Sequence, residues 1–191
     1  MTPNLMGLLA LMPLGLLLLI IAQEDIRSHR ISNRLVLVGM LLGIALNGLL
    51  PAGLGFNSVV PGGLGWLSAL QGLGLGLVVL LPLYLLRTMG AGDVKLMGMV
   101  GSFLGPGDIL GALLAILLTG GLLALIIVLS GKQLTLLMHN MKFIAMDGML
   151  KLNMREMPVI DGWFDSVGKL PYAFAITTGT LAFLLWQRLG Q

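Results

Sequence analysis

Long apolar runs separated by short polar clusters set the rhythm of the chain, over 5–22, 35–50, 64–86, 94–104, 109–129 and 170–189. A helix that spans a bilayer needs about 20 mostly apolar residues, and five of these six runs meet or nearly meet that length. The fourth, Val94 to Leu104, reaches only about 16 Å at 1.5 Å per residue before Gly105-Pro106-Gly107-Asp108 interrupts it. That is roughly half the hydrocarbon thickness, so this piece either begins below the membrane surface or is not a full crossing. The pattern predicts an all-α integral membrane protein, one transmembrane domain over 1–191, with no room for a separate soluble domain of ordinary size.

Composition agrees with the pattern. The chain of 191 residues is 57% hydrophobic and 10% charged, against about a quarter charged in soluble domains. The net charge of +3 matters less than where the basic residues fall. If the short fourth piece crosses, Arg27, Arg30, Arg34, Arg87, Lys95, Lys132, Lys142, Lys151, Arg155 and Lys169 share one side, and only Arg188 lies opposite. If it does not cross, that bias largely disappears. Six transmembrane helices are therefore expected, with both termini outside and the inner loops facing the cytoplasm. The first run lacks a basic n-region, and Ala22-Gln23-Glu24-Asp25 makes a poor cleavage site, so it is expected to be a retained helix.

The connections carry further expectations. Pro51 to Gly63 is uncharged and rich in glycine and proline, as suits a short external loop. Gly72, Gly74 and Gly76 in the third helix point to close helix packing. In the long polar segment 131–169, Leu134, Leu137, Met138, Met141, Ile144, Met149 and Leu152 recur near helical spacing. Lys132, His139, Lys142, Asp147 and Lys151 fall mostly on other faces. This predicts an interfacial amphipathic helix between the fifth and sixth crossings. Glu156, Asp161 and Asp165 read as a solvated loop face.

Candidate chemistry lies in Gly90-Ala91-Gly92-Asp93-Val94-Lys95, a turn carrying a carboxylate and an amine between two apolar runs. Charge in such a place calls for a functional explanation, although an aspartate before an apolar run can also be a plain helix cap. Glycines at 90 and 92 free the backbone and permit close approach. A second acidic site, Glu24-Asp25, ends the first run. With three crossings between them, Asp25 and Asp93 return to the same membrane face and can meet in one wet cleft. Two aspartates a few Å apart tend to share a proton, and such a pair can activate water and protonate a peptide carbonyl. Zero cysteines and only two histidines speak against a metal site, and neither glycine cluster has the strand context of a nucleotide loop. Ser28, Ser32 and Lys95 offer no arrangement that would also employ the aspartates.

These residues resemble a known family. Asp25-Ile26-Arg27-Ser28-His29-Arg30-Ile31-Ser32-Asn33-Arg34-Leu35 is similar to the first aspartate motif of type IV prepilin peptidases. Gly90-Ala91-Gly92-Asp93-Val94-Lys95-Leu96-Met97 resembles their second, the Gly-x-Gly-Asp signature, and Leu170-Pro171-Tyr172-Ala173-Phe174-Ala175-Ile176 with Gly179 resembles their final-helix pattern. The resemblance implies an intramembrane aspartic endopeptidase of the bacterial inner membrane that cuts prepilin leaders at the cytoplasmic face. Asp25 and Asp93 would be the catalytic pair, and Gly90 and Gly92 would shape the turn; Lys95, read from its own chemistry, either snorkels to the interface or meets substrate or helps shape the site. It implies no cofactor and no nucleic-acid partner, only the bilayer and a prepilin with a basic leader and an apolar helix. Without cysteine pairs or the length for an added domain, the chain looks like the short, peptidase-only form associated with Flp pili, lacking methyltransferase activity.

Two other classes are weighed against it. A small proton-coupled transporter would carry charged groups near the midplane of several helices, whereas here the apolar runs hold almost none apart from Asp93 and Lys95. A non-catalytic pilus-assembly subunit would have no use for two intact aspartates, and a leader-cleavage assay separates it from the peptidase.

Overall fold

The computed structural model describes residues 3–28, 30–86, 89–130 and 172–190. The regular elements among them are five helices: α1 (Pro3–Ser28), α2 (Asn33–Leu49), α3 (Trp66–Leu85), α4 (Ala91–Ser130) and α5 (Tyr172–Leu189). The expected interfacial helix of 131–169, with His139 and the acidic residues after it, lies outside the described residues. Three stretches are long and apolar enough to cross a membrane, Gly7–Ser28, Trp66–Leu85 and Ala91–Ile126, and Asn33–Leu49 is apolar but shorter. Large aliphatic side chains cover the outside of the bundle, among them Leu8, Leu16, Leu41, Val78 and Leu118. Water does not tolerate so much contiguous apolar surface; a bilayer does, and the protein is a membrane protein.

The main departure from the sequence pattern is α4. The expected helices 94–104 and 109–129 appear as one element from Ala91 to Ser130, broken only at Gly105, where φ is 73° and ψ is −177°. That combination is essentially restricted to glycine. The chain doubles back there. The first arm runs antiparallel to α3, with Gly72 packed on Gly101 and Gly105, and Gly76 on Met97. The returning arm runs antiparallel to α5: Asp108 accepts from Gln187, Gly111 packs on Phe183, and Thr119 donates to the Ala175 carbonyl. The short fourth piece of the sequence pattern is therefore the first arm of a helical hairpin.

The first arm is the centre of the core. From Asp93 to Gly105 only Lys95 is exposed, and Leu96, Met97, Met99, Val100 and Phe103 are completely buried. A helix apolar on all sides belongs inside other helices, and this one is gripped by α2 and α3. Small residues set the close approaches. Gly39 and Gly43 of α2 take Met99, Ser102 and Phe103 against their backbone, as Gly72 and Gly76 take the first arm. Gly74 faces open space, so only part of the expected glycine stripe packs.

The reversal at Gly105 leaves a hydrogen-bond deficit that one side chain fills. Pro106 has no N–H to offer the Ser102 carbonyl four residues back, and the break at Gly105 strands the Phe103 carbonyl as well. The buried Asn47 of α2 donates through Nδ2 to Ser102 O at 2.8 Å and to Phe103 O at 3.1 Å, while its Oδ1 accepts from the Leu64 N–H at 3.0 Å. One amide thus joins α2, the hairpin turn and the loop entering α3. That loop is no loose connection: Gly53 bonds Gly63, Leu54 bonds Val60, and Gly65 bonds the Asn47 carbonyl. Replacement of Asn47 by Leu keeps volume but strands buried carbonyls. It is expected to lower the unfolding free energy by about 2 kcal/mol or more, measured as thermal or denaturant unfolding in lipid nanodiscs. Unchanged stability would show that the turn does not rely on Asn47.

Candidate active site

Asp25 sits in the last turn of α1, which continues to Ser28 rather than ending near residue 22 as the apolar run suggested. Its side chain is 8% exposed. Burial of a carboxylate is unfavourable without donors, and a donor comes from another helix: the Ala173 N–H, second residue of α5, reaches Asp25 Oδ2 at 3.1 Å. The first N–H groups of a helix lack intrahelical partners, and a negative charge is favoured at that end of the helix dipole. Asp25 therefore pins the start of α5 to the end of α1. Four residues further into α5, Thr177 Oγ1 donates to the Leu18 carbonyl at 3.0 Å and repeats the link one turn along.

Asp93, 7% exposed, is the third residue of α4. The Gly90 N–H reaches its Oδ2 at 3.1 Å, and the Asp93 N–H returns to the Gly90 carbonyl at 3.2 Å. Gly90 thus occupies the cap position. Asp93 reaches back to it like the third-position acid of a capping box and is not the cap residue itself. Among the described residues, each aspartate engages one carboxylate oxygen in a hydrogen bond and leaves the other for the site.

The two acids come together. Asp93 lies near enough to Asp25 to feel its charge, and the Tyr172 hydroxyl in turn feels that of Asp93. Three helix ends therefore converge: the last turn of α1, the first turn of α4 and the first turn of α5, with Ala173 bonded to Asp25 and Tyr172 within reach of the charge of Asp93.

Of the other residues singled out in the sequence, Gly92 makes a close approach. It lies inside the helix without positive φ, and a Cβ there would stand 3.1 Å from the Ile31 side chain, so the 30–32 connection rests directly on the start of α4. Gly90 likewise has no positive φ; its part is the N–H given to Asp93. Backbone freedom, the reason first suggested for this glycine pair, is used at Gly105 instead. Lys95 is exposed and donates to Asn33 Oδ1 at 3.1 Å, tying the first turn of α4 to the first residue of α2 on the outside of the site. Sequence reasoning assigned no role to Tyr172 or the Ala173 N–H. The Pro171-Tyr172 step before an apolar run marks a helix start, and that was the available signal.

The fold and site define a helical membrane protein with two buried acids held at one end of its bundle. A model of the Type IV leader peptidase family matches residues 12–129, more than half of the chain and both aspartates, and the chain belongs to that family. The match ends before α5, which supplies the donor to Asp25. Neither the curated proteins nor the solved structures gave a match.

The convergence can be checked chemically, because the chain has no cysteine of its own. With Asp25→Cys and Asp93→Cys combined, a short thiol-to-thiol cross-linker is expected to join positions 25 and 93 within one chain. A Gly15→Cys and Asp93→Cys pair, with residue 15 about 15 Å further along α1 at 1.5 Å per residue, should stay unjoined. Equal joining of both pairs would count against a defined site.

Proposed function

We propose that this chain is an intramembrane aspartic endopeptidase that removes the leader of Flp-type prepilins at the cytoplasmic face of the inner membrane. The observation that carries the reading is the pair itself, two buried carboxylates from α1 and α4, each held by one backbone N–H. One ionised carboxylate takes a proton from a water held between them, and the water oxygen attacks the scissile carbonyl carbon. The other aspartate, protonated, gives its proton to the carbonyl oxygen. The tetrahedral diol then collapses: its C–N bond breaks, the leaving amine takes a proton from the first aspartate, and a diol hydroxyl returns its proton to the second as the carboxyl forms. The net change is one water consumed, one carboxyl and one amine formed, with both acids restored.

The hairpin in α4 supports this orientation. With its two arms counted separately the sequence pattern of six runs is accommodated; in that reading the loops holding ten of the eleven basic residues would belong to the aspartate side, which the positive-inside rule would assign to the cytoplasm. A prepilin suits such a site, since its basic leader remains at that face while the apolar helix beyond the cut enters the membrane. In this reading Gly90 and Gly92 set the position of Asp93, and Lys95 braces α4 on α2 through Asn33.

Asp25→Asn and Asp93→Asn are the sharp variants, because asparagine keeps an oxygen for the Ala173 or Gly90 N–H and preserves the fold. Each is expected to slow cleavage of a coexpressed or purified prepilin by about 10²-fold or more, while stability stays within about 1 kcal/mol of the parent. Processing at the parental rate by either variant would remove that residue from the reaction.

A further inference from the structure

Among the described residues the bundle is open beside Tyr172, at the start of α5. A cavity of about 410 Å³ opens between the end of α3, the returning arm of α4 and the start of α5. Leu80 and Leu83 form one wall and Tyr172 the other, and Gly120, Gly121 and Ala124 form the floor. Its size is that of a ligand pocket, about 300–1,000 Å³, and its lining is apolar apart from the tyrosine hydroxyl. The floor is bare backbone: a side chain at Gly121 would meet nothing within 4 Å, and one at Gly120 only the Ala175 methyl at 3.5 Å.

Two features argue for what fills it. Between membrane helices, apolar lining alone gives no preference over lipid, and association comes from close backbone approach at small residues; a glycine floor between leucine and tyrosine walls offers that. The groove is also continuous with the site, because Tyr172 lines it and feels the charge of Asp93 while the next residue holds Asp25. A helix lying on Gly121 would deliver the residues preceding it to the aspartates.

We infer that this groove is the exosite for the apolar helix that follows the scissile bond, seated on Gly120 and Gly121 with its N-terminal end beside Tyr172. The inference rests on the peptidase reading and adds the surface that selects the substrate. In this arrangement recognition comes from the helix as well as from the leader.

The test uses the full chain in vesicles of phosphatidylethanolamine and phosphatidylglycerol, with a prepilin carrying its complete apolar helix. Gly121→Trp fills the groove from its floor and is expected to lower kcat/KM by about tenfold or more, chiefly through KM. Gly15→Trp, at an α1 position that is also open, should leave it within about twofold. A second arm is independent of turnover. Gly121→Cys in an Asp93→Asn background should form disulfides with cysteines scanned along the prepilin helix, strongest at every third or fourth position, whereas Gly15→Cys should not. If Gly121→Trp cleaves like the parent, or position 121 captures no prepilin because lipid fills the groove, the exosite is overturned while the parent's cleavage leaves the peptidase reading standing. If the parent chain cleaves no prepilin, both fall together.

Discussion

Two carboxylates buried in an apolar bundle must find hydrogen-bond donors without relying on bulk water, and the architecture follows from how they do so. Both find the same kind of donor, a backbone N–H in or beside the first turn of a helix, where such groups lack intrahelical partners. Asp93 takes the one before its own helix and Asp25 takes one from α5, 148 residues away in sequence. The second bond links α1 to α5, and residues 93 and 172 are drawn in beside it. A single neutral donor compensates only part of the loss of hydration, so each acid is held in place without being fully satisfied.

Bringing Asp93 to this position requires an unusual support. Its helix arm must be short, central and rigid, and it must end in a reversal where lipid cannot satisfy stranded backbone groups. Gly105 provides the dihedral angles, Pro106 starts the return, and Asn47 supplies the N–H groups that proline and the break remove. Glycines on α2 and α3 then let the arm be gripped backbone to backbone. Close packing thus surrounds the far end of the arm, while among the described residues a cavity opens beside the first turn of α5.

Much of this is legible in the sequence, for definite reasons. Charge is so rare in apolar runs that Asp25 and Asp93 stand out, and the short run 94–104 with its Gly-Pro break signals the reversal before any coordinates. Helix ends were less legible. The helical hydrogen-bond ladder carries α1 through the polar residues to Ser28 and starts α4 at Ala91, where hydropathy alone places the boundaries inside the apolar runs. The partners of the acids were not legible at all. An N–H donor has no side-chain signature, so Ala173 could not be picked out, and Tyr172 gains meaning only once α5 is packed against α1. The Gly39 and Gly43 pair, four apart as in α3, is readable by the same packing rule.

The central claim is that Asp25 and Asp93 act as one unit on one water. Single-turnover cleavage of a prepilin by Asp25→Asn, Asp93→Asn and the doubly substituted chain forms a double-mutant cycle that addresses it directly. Groups that share one chemical step show strongly non-additive losses, so the double variant is predicted to be no slower than the slower single one. Losses that multiply would mean that the two acids serve separate steps or separate sites, and would contradict the account.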